Sequence, residues 1–420
     1  MVSAPESQLE RTPPEAQGIA SAAVLRFVDA LDQHIHEMHS FMLLRHGCVV
    51  AEGWWTPYRA QDRHAMFSVS KSFTATAVGF AVSEGHFSIT DPVLSFFPGA
   101  LGVSRADAFV SMTVRDLLTM STGHADDSWL AMIERTDGDW IRAFFETPIV
   151  HTPGSRFLYD NGATYLLVAI IQQTTGMSLI DYLQPRLFEP LGIEGATWES
   201  SPQGISIGAY GLSIQTEALA KFGQFYLQKG RWGEQHLLPE DWIDAAAALQ
   251  VQNGIPTEAN DSTQGYGYQF WRCRHNAYRA SGVFGQYCII LPDQDAVVAF
   301  TAGIDVFDAQ QPLDLIWEIL LPAMESSALP RDQAHHDVLS AKVSSLSRPA
   351  VKGQPASSLC PQSLPRTYKF DANALAIELF ELHTTPSGWH VRVTTASGDD
   401  RFPCGYGTWE RGEAAVFSGQ

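Results

Sequence analysis

Strand-like apolar runs stand on either side of a long helical stretch, and this arrangement limits the available folds more than any other feature. FMLLRHGCVVAEGWW, residues 41–55, reads as a β-hairpin whose runs Phe41–Leu44 and Cys48–Ala51 flank the turn Arg45-His46-Gly47. From about 90 to 270 the pattern is mostly helix and loop, with helices expected over 114–120, 138–146, 163–175, 179–187 and 215–230. Past Gln264 strands return as YGYQFWR, QYCIILP and DAVVAFTAG, the last two joined by the turn Pro292-Asp293-Gln294-Asp295. Helical patterns also lie before the hairpin (Ala23, Leu25, Phe27, Val28, Leu31), from Ser68 to about Gly85, and up to residue 324. The expectation is one α/β lobe built from both ends, about 1–67 and 264–325, with a helical lobe of about 68–263 inserted. Such splits place active sites in the cleft between lobes. Residues 326–365, rich in Ser, Ala, Pro and Gln, read as a linker, and 366–420 as a small β-rich C-terminal domain.

Charge narrows the partners. With 27 basic against 46 acidic side chains the formal charge is −19, and no basic run offsets it. Nucleic acid and anionic membrane surfaces would be repelled, so neither is expected as a partner. The first twenty residues have neither a basic start nor an apolar stretch, unlike a secretory signal. Five scattered cysteines, never spaced Cys-x-x-Cys, fit reduced thiols and a cytoplasmic protein better than a disulfide framework. Oligomeric state is open.

Chemistry concentrates at Ser68-Val69-Ser70-Lys71. Side chains three apart on a helix share a face, so Ser68 and Lys71 meet within hydrogen-bond reach. A serine hydroxyl needs a neighbouring base, and lysine serves only if burial lowers its pKa from about 10.4. Met66, Phe67, Phe73, Val78 and Phe80 supply apolar surroundings, and of six lysines Lys71 is the sole one before Lys221. A helix N-terminus also favours a developing oxyanion. Aromatics such as Trp54, Trp55, Tyr266, Trp271 and Phe284 are candidates for lining an apolar pocket, although most are expected to be core.

HAMFSVSKSFTATAVGFAVSEGHFSITDPVLSFFP, TVRDLLTMSTGH, PGSRFLYDNGATYLL, RLFEPLGIEGATWE, GLSIQTEALAKFGQFYLQKG and GVFGQYCIILPDQDAVVAF follow one another along the chain. Together they resemble the serine β-lactamase and penicillin-binding-protein superfamily. The likeness is closest to its class C-like branch, which holds esterases of that fold, D-peptidases and 6-aminohexanoate-dimer hydrolase. It covers about residues 10–325. It implies a β-lactamase-like fold, α/β plus all-α: an antiparallel sheet flanked by helices with an inserted helical lobe, to which 366–420 adds a small β appendage. It implies Ser68 as nucleophile, Lys71 and Tyr159 as acid–base pair with Tyr159 relaying the proton to the leaving group, and Asn161 as a contact to Lys71 or a substrate carbonyl. A phenol beside an ammonium is expected to have its pKa depressed. The third element of the superfamily, Lys-Thr-Gly or His-Thr-Gly, aligns with Ala280-Ser281-Gly282. In that register the Val283 and Ser68 amides form the oxyanion hole, Ser281 touches substrate, and Gly282 allows close approach. Ala280 stands where the superfamily places a cation that recognises a carboxylate. Arg279, one residue earlier, is expected on the opposite face of the strand.

The resulting expectation is a carboxylesterase working through an acyl-enzyme on small esters, with no metal or organic cofactor. Amide or D-amino-acid peptide hydrolysis, weak β-lactamase activity, and a non-catalytic binding or scaffold member of the fold are the alternatives. Rival motifs fall short. His36-Glu37-Met38-His39 places its second histidine one residue early for a zincin helix, and His335-His336 lies in the presumed linker. Gly-x-Ser-x-Gly is absent around Ser68, and so are Walker and dinucleotide fingerprints.

Overall fold

A computed structural model describes residues 8–100, 109–257, 259–353, 366–373, 376–385, 388–396 and 398–412. The hairpin forms as expected. β1 (Met38–Arg45) and β2 (Cys48–Trp54) are joined by His46 and Gly47, whose φ angles of 48° and 78° suit a tight two-residue turn. Beyond the helical region come β3 (Trp271–Arg272), β4 (Tyr278–Gly282), β5 (Gln286–Leu291) and β6 (Ala296–Ala302). All six make one sheet in the order β2-β1-β6-β5-β4-β3, and every pairing is antiparallel. The two chain ends meet along β1 and β6, where Leu43 faces Val298 and Phe41 faces Phe300.

Every residue of β1, β5 and β6 is buried, because both faces of the sheet are covered. Alternation then sorts the side chains into two cores. Met42, Leu44, Cys288, Ile290, Val297 and Ala299 pack with the helical lobe. Phe41, Leu43, Tyr287, Ile289, Val298 and Phe300 pack with helix α1 (Ser21–His34) and the helical segment around Leu313–Leu320. On the lobe side, α2 (Ser70–Ser83) and α3 (Asn161–Thr175) are central. Both are buried almost all round, as helices inside a core must be. α4 (Thr216–Leu227) lies against β5 and β6.

Two local expectations are corrected. YGYQFWR is a strand only at Trp271 and Arg272. Gln269 takes φ 61° there, and its side-chain Nε2 donates to the Leu117 and Leu118 carbonyls, which bends the run out of strand geometry. The stretch read as a linker over 326–365 contains helix α5 (Gln333–Ser344), capped by Asp332, which accepts from the His335 N–H. Leu339 and Leu346 are buried in the α1-side core, and Lys342 pairs with Asp29 and Asp32. Few apolar residues anchor α5, so its Ser- and Ala-rich composition hides it. Residues 354–365 of that reading lie outside the described residues.

The chain divides into two compact units, Met1–Leu346 and Ser347–Gln420. In the second, β7 (Arg366–Lys369), β8 (Ile377–Thr385), β9 (Gly388–Thr395) and β10 (Gly398–Cys404) form a four-stranded antiparallel meander. The expected small β-rich appendage is present.

Candidate active site

The turn Phe67–Val69 leads into α2. Phe67 holds φ 46°, an uncommon left-handed conformation for a bulky residue, and its surroundings hold it there. The Met66 N–H donates to the Leu212 carbonyl at 2.8 Å. Ser70 Oγ donates to the Phe67 carbonyl at 2.6 Å and accepts from the Leu212 N–H at 3.2 Å. The second serine of the Ser-x-Ser-Lys run therefore secures the turn, and Ser68 is left partly open at the helix start.

Lys71 is 1% exposed, and its Nζ has three partners. It donates to Ser68 Oγ at 3.1 Å, Asn161 Oδ1 at 2.7 Å and the Ala209 carbonyl at 2.8 Å. Burial pulls the amine down to about 7, against the opposing pull of Asp127 and Asp160. Tyr159 precedes α3; its ring centroid lies 4.8 Å from Lys71 Nζ, and its hydroxyl shares a hydrogen bond with Ser68. The phenol is pushed up rather than depressed, chiefly by burial, and Asp127 adds to this while the Ser68 bond opposes it. The expectation of a depressed phenol is thus corrected. The same water-poor cleft that discharges the amine also disfavours a phenolate. Near neutral pH the amine titrates and the phenol keeps its proton.

α3 is anchored beneath this cluster by Asp160. Its Oδ1 accepts from the Gly162 N–H (2.9 Å), the Ser128 N–H (3.1 Å) and Ser128 Oγ (2.7 Å), and its Oδ2 lies 3.3 Å from His124 Nδ1. Burial would raise the carboxyl, but His124 and then Ser128 outweigh it and hold Asp160 below the ordinary range. Asp127 behaves oppositely, raised to about 6 by burial and by the neighbouring Asp160. Part of Asp127 faces solvent, yet its carboxylate is turned inward against Asn161.

β4 runs alongside the nucleophile turn. A Cβ on Gly282 would stand 2.5 Å from the Met66 carbonyl, so only glycine allows this approach. Val283 and Phe284 follow at the rim, 39% and 43% exposed, and the Phe284 ring meets Phe67 edge-on at 5.2 Å. Ser281 is partly buried, while Ala280 is fully buried on the lobe side. Arg279 points to the other face, as expected, where its Nη1 donates to the Asp261 carbonyl at 2.9 Å and to Cys273 Sγ. The third element, Ala280-Ser281-Gly282, thus carries no cation of its own. Of the flagged aromatics, Trp271 and Tyr266 pack on Tyr159 and Phe284 on Phe67, whereas Trp55 belongs to the α1-side core.

Ser68, Lys71, Tyr159 and Asn161 are thus brought together, with Ser281 and Gly282 on the strand that runs alongside the nucleophile turn and Val283 just past its end. Two groups were not anticipated: the Ala209 carbonyl and the Asp127 carboxylate. A main-chain oxygen leaves no mark in a sequence, and nothing in STGHADDSW separates Asp127 from Asp126.

Comparison with known proteins bears on the family and the fold. The Beta-lactamase family profile matches residues 8–320. The 6-aminohexanoate-dimer hydrolase of Paenarthrobacter ureafaciens is 26% identical over 308 residues, spanning 68% of this chain and 78% of that protein. Among solved structures, EstCE1, a hydrolase with promiscuous acyltransferase activity, is similar at TM-score 0.59 and 14% identity over 71% of this chain and 99% of its own. The octameric penicillin-binding protein homologue from Pyrococcus abyssi covers 90% of this chain and 89% of its own at TM-score 0.55 and 19% identity. These likenesses support the fold, and the match from residue 8 to 320 shows that the chain belongs to the Beta-lactamase family, as a hydrolase of the serine β-lactamase fold.

Proposed function

We propose that this hydrolase forms an acyl-enzyme on Ser68 and acts as a carboxylesterase on small acyl or aryl esters. One observation carries the reading: a buried Lys71 amine, lowered to about 7, with its Nζ 3.1 Å from Ser68 Oγ. The neutral amine takes the hydroxyl proton as Oγ attacks the ester carbonyl. The Ser68 and Val283 amides receive the oxyanion, and each such donor typically contributes about 2.7–4 kcal/mol at the transition state. Tyr159, protonated, passes a proton to the departing alkoxide and is reprotonated through Lys71. Water then repeats the sequence to release the acid. The absence of a cation at Ala280 favours uncharged esters over substrates recognised by a carboxylate. Amide hydrolysis is the second reading, favoured by the name of the Paenarthrobacter relative.

A fluorophosphonate probe followed by peptide mass spectrometry is expected to label Ser68. A folded protein that stays unlabelled there would sink the reading. p-Nitrophenyl butyrate, a D-amino-acid p-nitroanilide and nitrocefin, assayed side by side, are expected to rank in that order. Preference for the anilide would move the amidase reading to first place.

Two further results are expected. Because the free amine is the competent form, kcat/KM for p-nitrophenyl butyrate should fall about tenfold per pH unit below about 7 and level off above it. A flat profile between pH 5 and 8 would exclude Lys71 as the titrating base. Gly282→Ala should lower kcat/KM about 10²-fold with the fold retained, since the added methyl drives β4 away from the nucleophile turn. Unchanged turnover in that variant would separate β4 from the reaction.

A further inference from the structure

Asp127 has no part in the steps above, yet it grips the residue that holds Lys71. Its Oδ1 accepts from the Asn161 N–H at 2.9 Å and the Trp129 N–H at 3.1 Å, and its Oδ2 accepts from Asn161 Nδ2 at 2.6 Å. On its other side Asn161 Oδ1 accepts from Lys71 Nζ at 2.7 Å. An asparagine amide has one donating and one accepting end, and its orientation is set by its neighbours. An ionised carboxylate only accepts, so the end facing Asp127 must be the Nδ2 group. The oxygen is thereby turned to the amine. We propose that Asp127 is a positioning residue that fixes the amide orientation of Asn161 and so aims Lys71 Nζ at Ser68 Oγ. This rests on the serine-hydrolase reading and deepens it.

The surroundings leave this task to Asp127. Lys71 is faced by Asp127, Asp160, the Tyr159 phenol, Asn161 and the Ala209 carbonyl. Asp127 is faced by Asp160, Tyr159 and Lys71 as well as Asn161. Asp160 is committed to Ser128, Gly162 and His124, so Asp127 is the carboxylate that meets the amide. Its charge also favours the protonated amine. Because Asp127 is partly solvent-exposed, it can be replaced without opening the core.

Asp127→Asn is the discriminating variant because it is isosteric. Its oxygen is held by two backbone N–H groups, so its new amide nitrogen faces Asn161. Asn161 then turns its own oxygen to that nitrogen and its Nδ2 to Lys71, where it opposes the N–H groups of the ammonium and competes with the Ser68 hydroxyl for the lone pair of the free amine. The expected result is a loss of about 10–100-fold in kcat/KM for p-nitrophenyl butyrate, with the acid limb moved to lower pH than in the parent. Asp127→Glu keeps the acceptor and should hold the limb near the parent's. The double variant D127N/N161D puts an acceptor before both Lys71 and the new amide at position 127. It should recover much of the rate and move the limb above the parent's, because the charge now adjoins the amine. Lysine labelled with ¹³C at Cε gives the same midpoints by NMR without substrate, and only six lysines need assignment.

A D127N protein with the parent's Lys71 midpoint and rate would overturn the proposal. So would a D127E protein that loses as much as D127N. Failure of wild-type Ser68 to acylate would strike the serine-hydrolase reading instead, while the NMR midpoints would still report on Asp127.

Discussion

Replacing Lys71 by methionine is expected to lower kcat/KM for p-nitrophenyl butyrate by about 10³–10⁴-fold and to end fluorophosphonate labelling of Ser68. The loss is this large because the remaining groups around Ser68 cannot take its proton near neutral pH. Tyr159 is held protonated by its buried surroundings, and the Ala209 carbonyl and Asn161 Oδ1 are amide oxygens, far too weakly basic to take a hydroxyl proton. Stability should move little. Lys71 has a folded pKa of about 7 against an ordinary 10.5, so between those values the unfolded chain binds the extra proton. Its contribution to stability therefore rises with pH across that window and is least favourable below it. Methionine removes that liability and leaves two carbonyl oxygens without their donor, and the two effects oppose each other. A thermal midpoint within a few degrees of the parent, with activity gone, is the expected pair of observations. Substantial labelling of Ser68 in a folded K71M protein would refute the assignment of the base.

Asp160→Ala is expected to destabilise the protein by about 3–5 kcal/mol, read from guanidinium denaturation. Asp160 is fully buried, caps α3 through the Gly162 N–H, and accepts from both donors of Ser128. Alanine strands these donors and leaves His124 Nδ1 without the buried carboxylate oxygen that stands 3.3 Å from it. Each unmet buried donor alone costs about 1–3 kcal/mol. Because α3 carries Asn161 and follows Tyr159, activity should fall in parallel even in the fraction that remains folded. Asp160→Asn keeps the cap oxygen and should recover most of the stability. A loss below about 1 kcal/mol in the alanine variant, less than one unmet donor costs, would mean that the loop around Ser128 relaxes and rehydrates these groups.

Features set by neighbours in the chain were legible in the sequence. The hairpin at His46-Gly47 forms because alternating apolar runs meet a turn that tolerates positive φ. Ser68 and Lys71 meet because three residues along a helix bring side chains to one face. Tyr159, Asn161 and the Ala280-Ser281-Gly282 strand were reached only through the resemblance, since more than eighty residues separate them from Ser68. Helix α5 was missed because its composition matches a linker, and its few buried anchors declare themselves only against α1. YGYQFWR was over-read because an alternating aromatic pattern serves equally for a half-buried strand and for rings filling a gap; Phe270 lies 4.6 Å from the Tyr226 ring.

The order of residues alone determined a two-ended sheet, an inserted helical lobe and a hydroxyl one helical turn from an amine. Those follow from periodicity, and periodicity is local. Tertiary structure decided the protonation behaviour and the supporting partners: an amine that titrates near neutral pH, a protonated phenol, the Ala209 oxygen, and Asp127 rather than Asp126. Desolvation depends on what surrounds a group on every side, and only the folded chain supplies those surroundings.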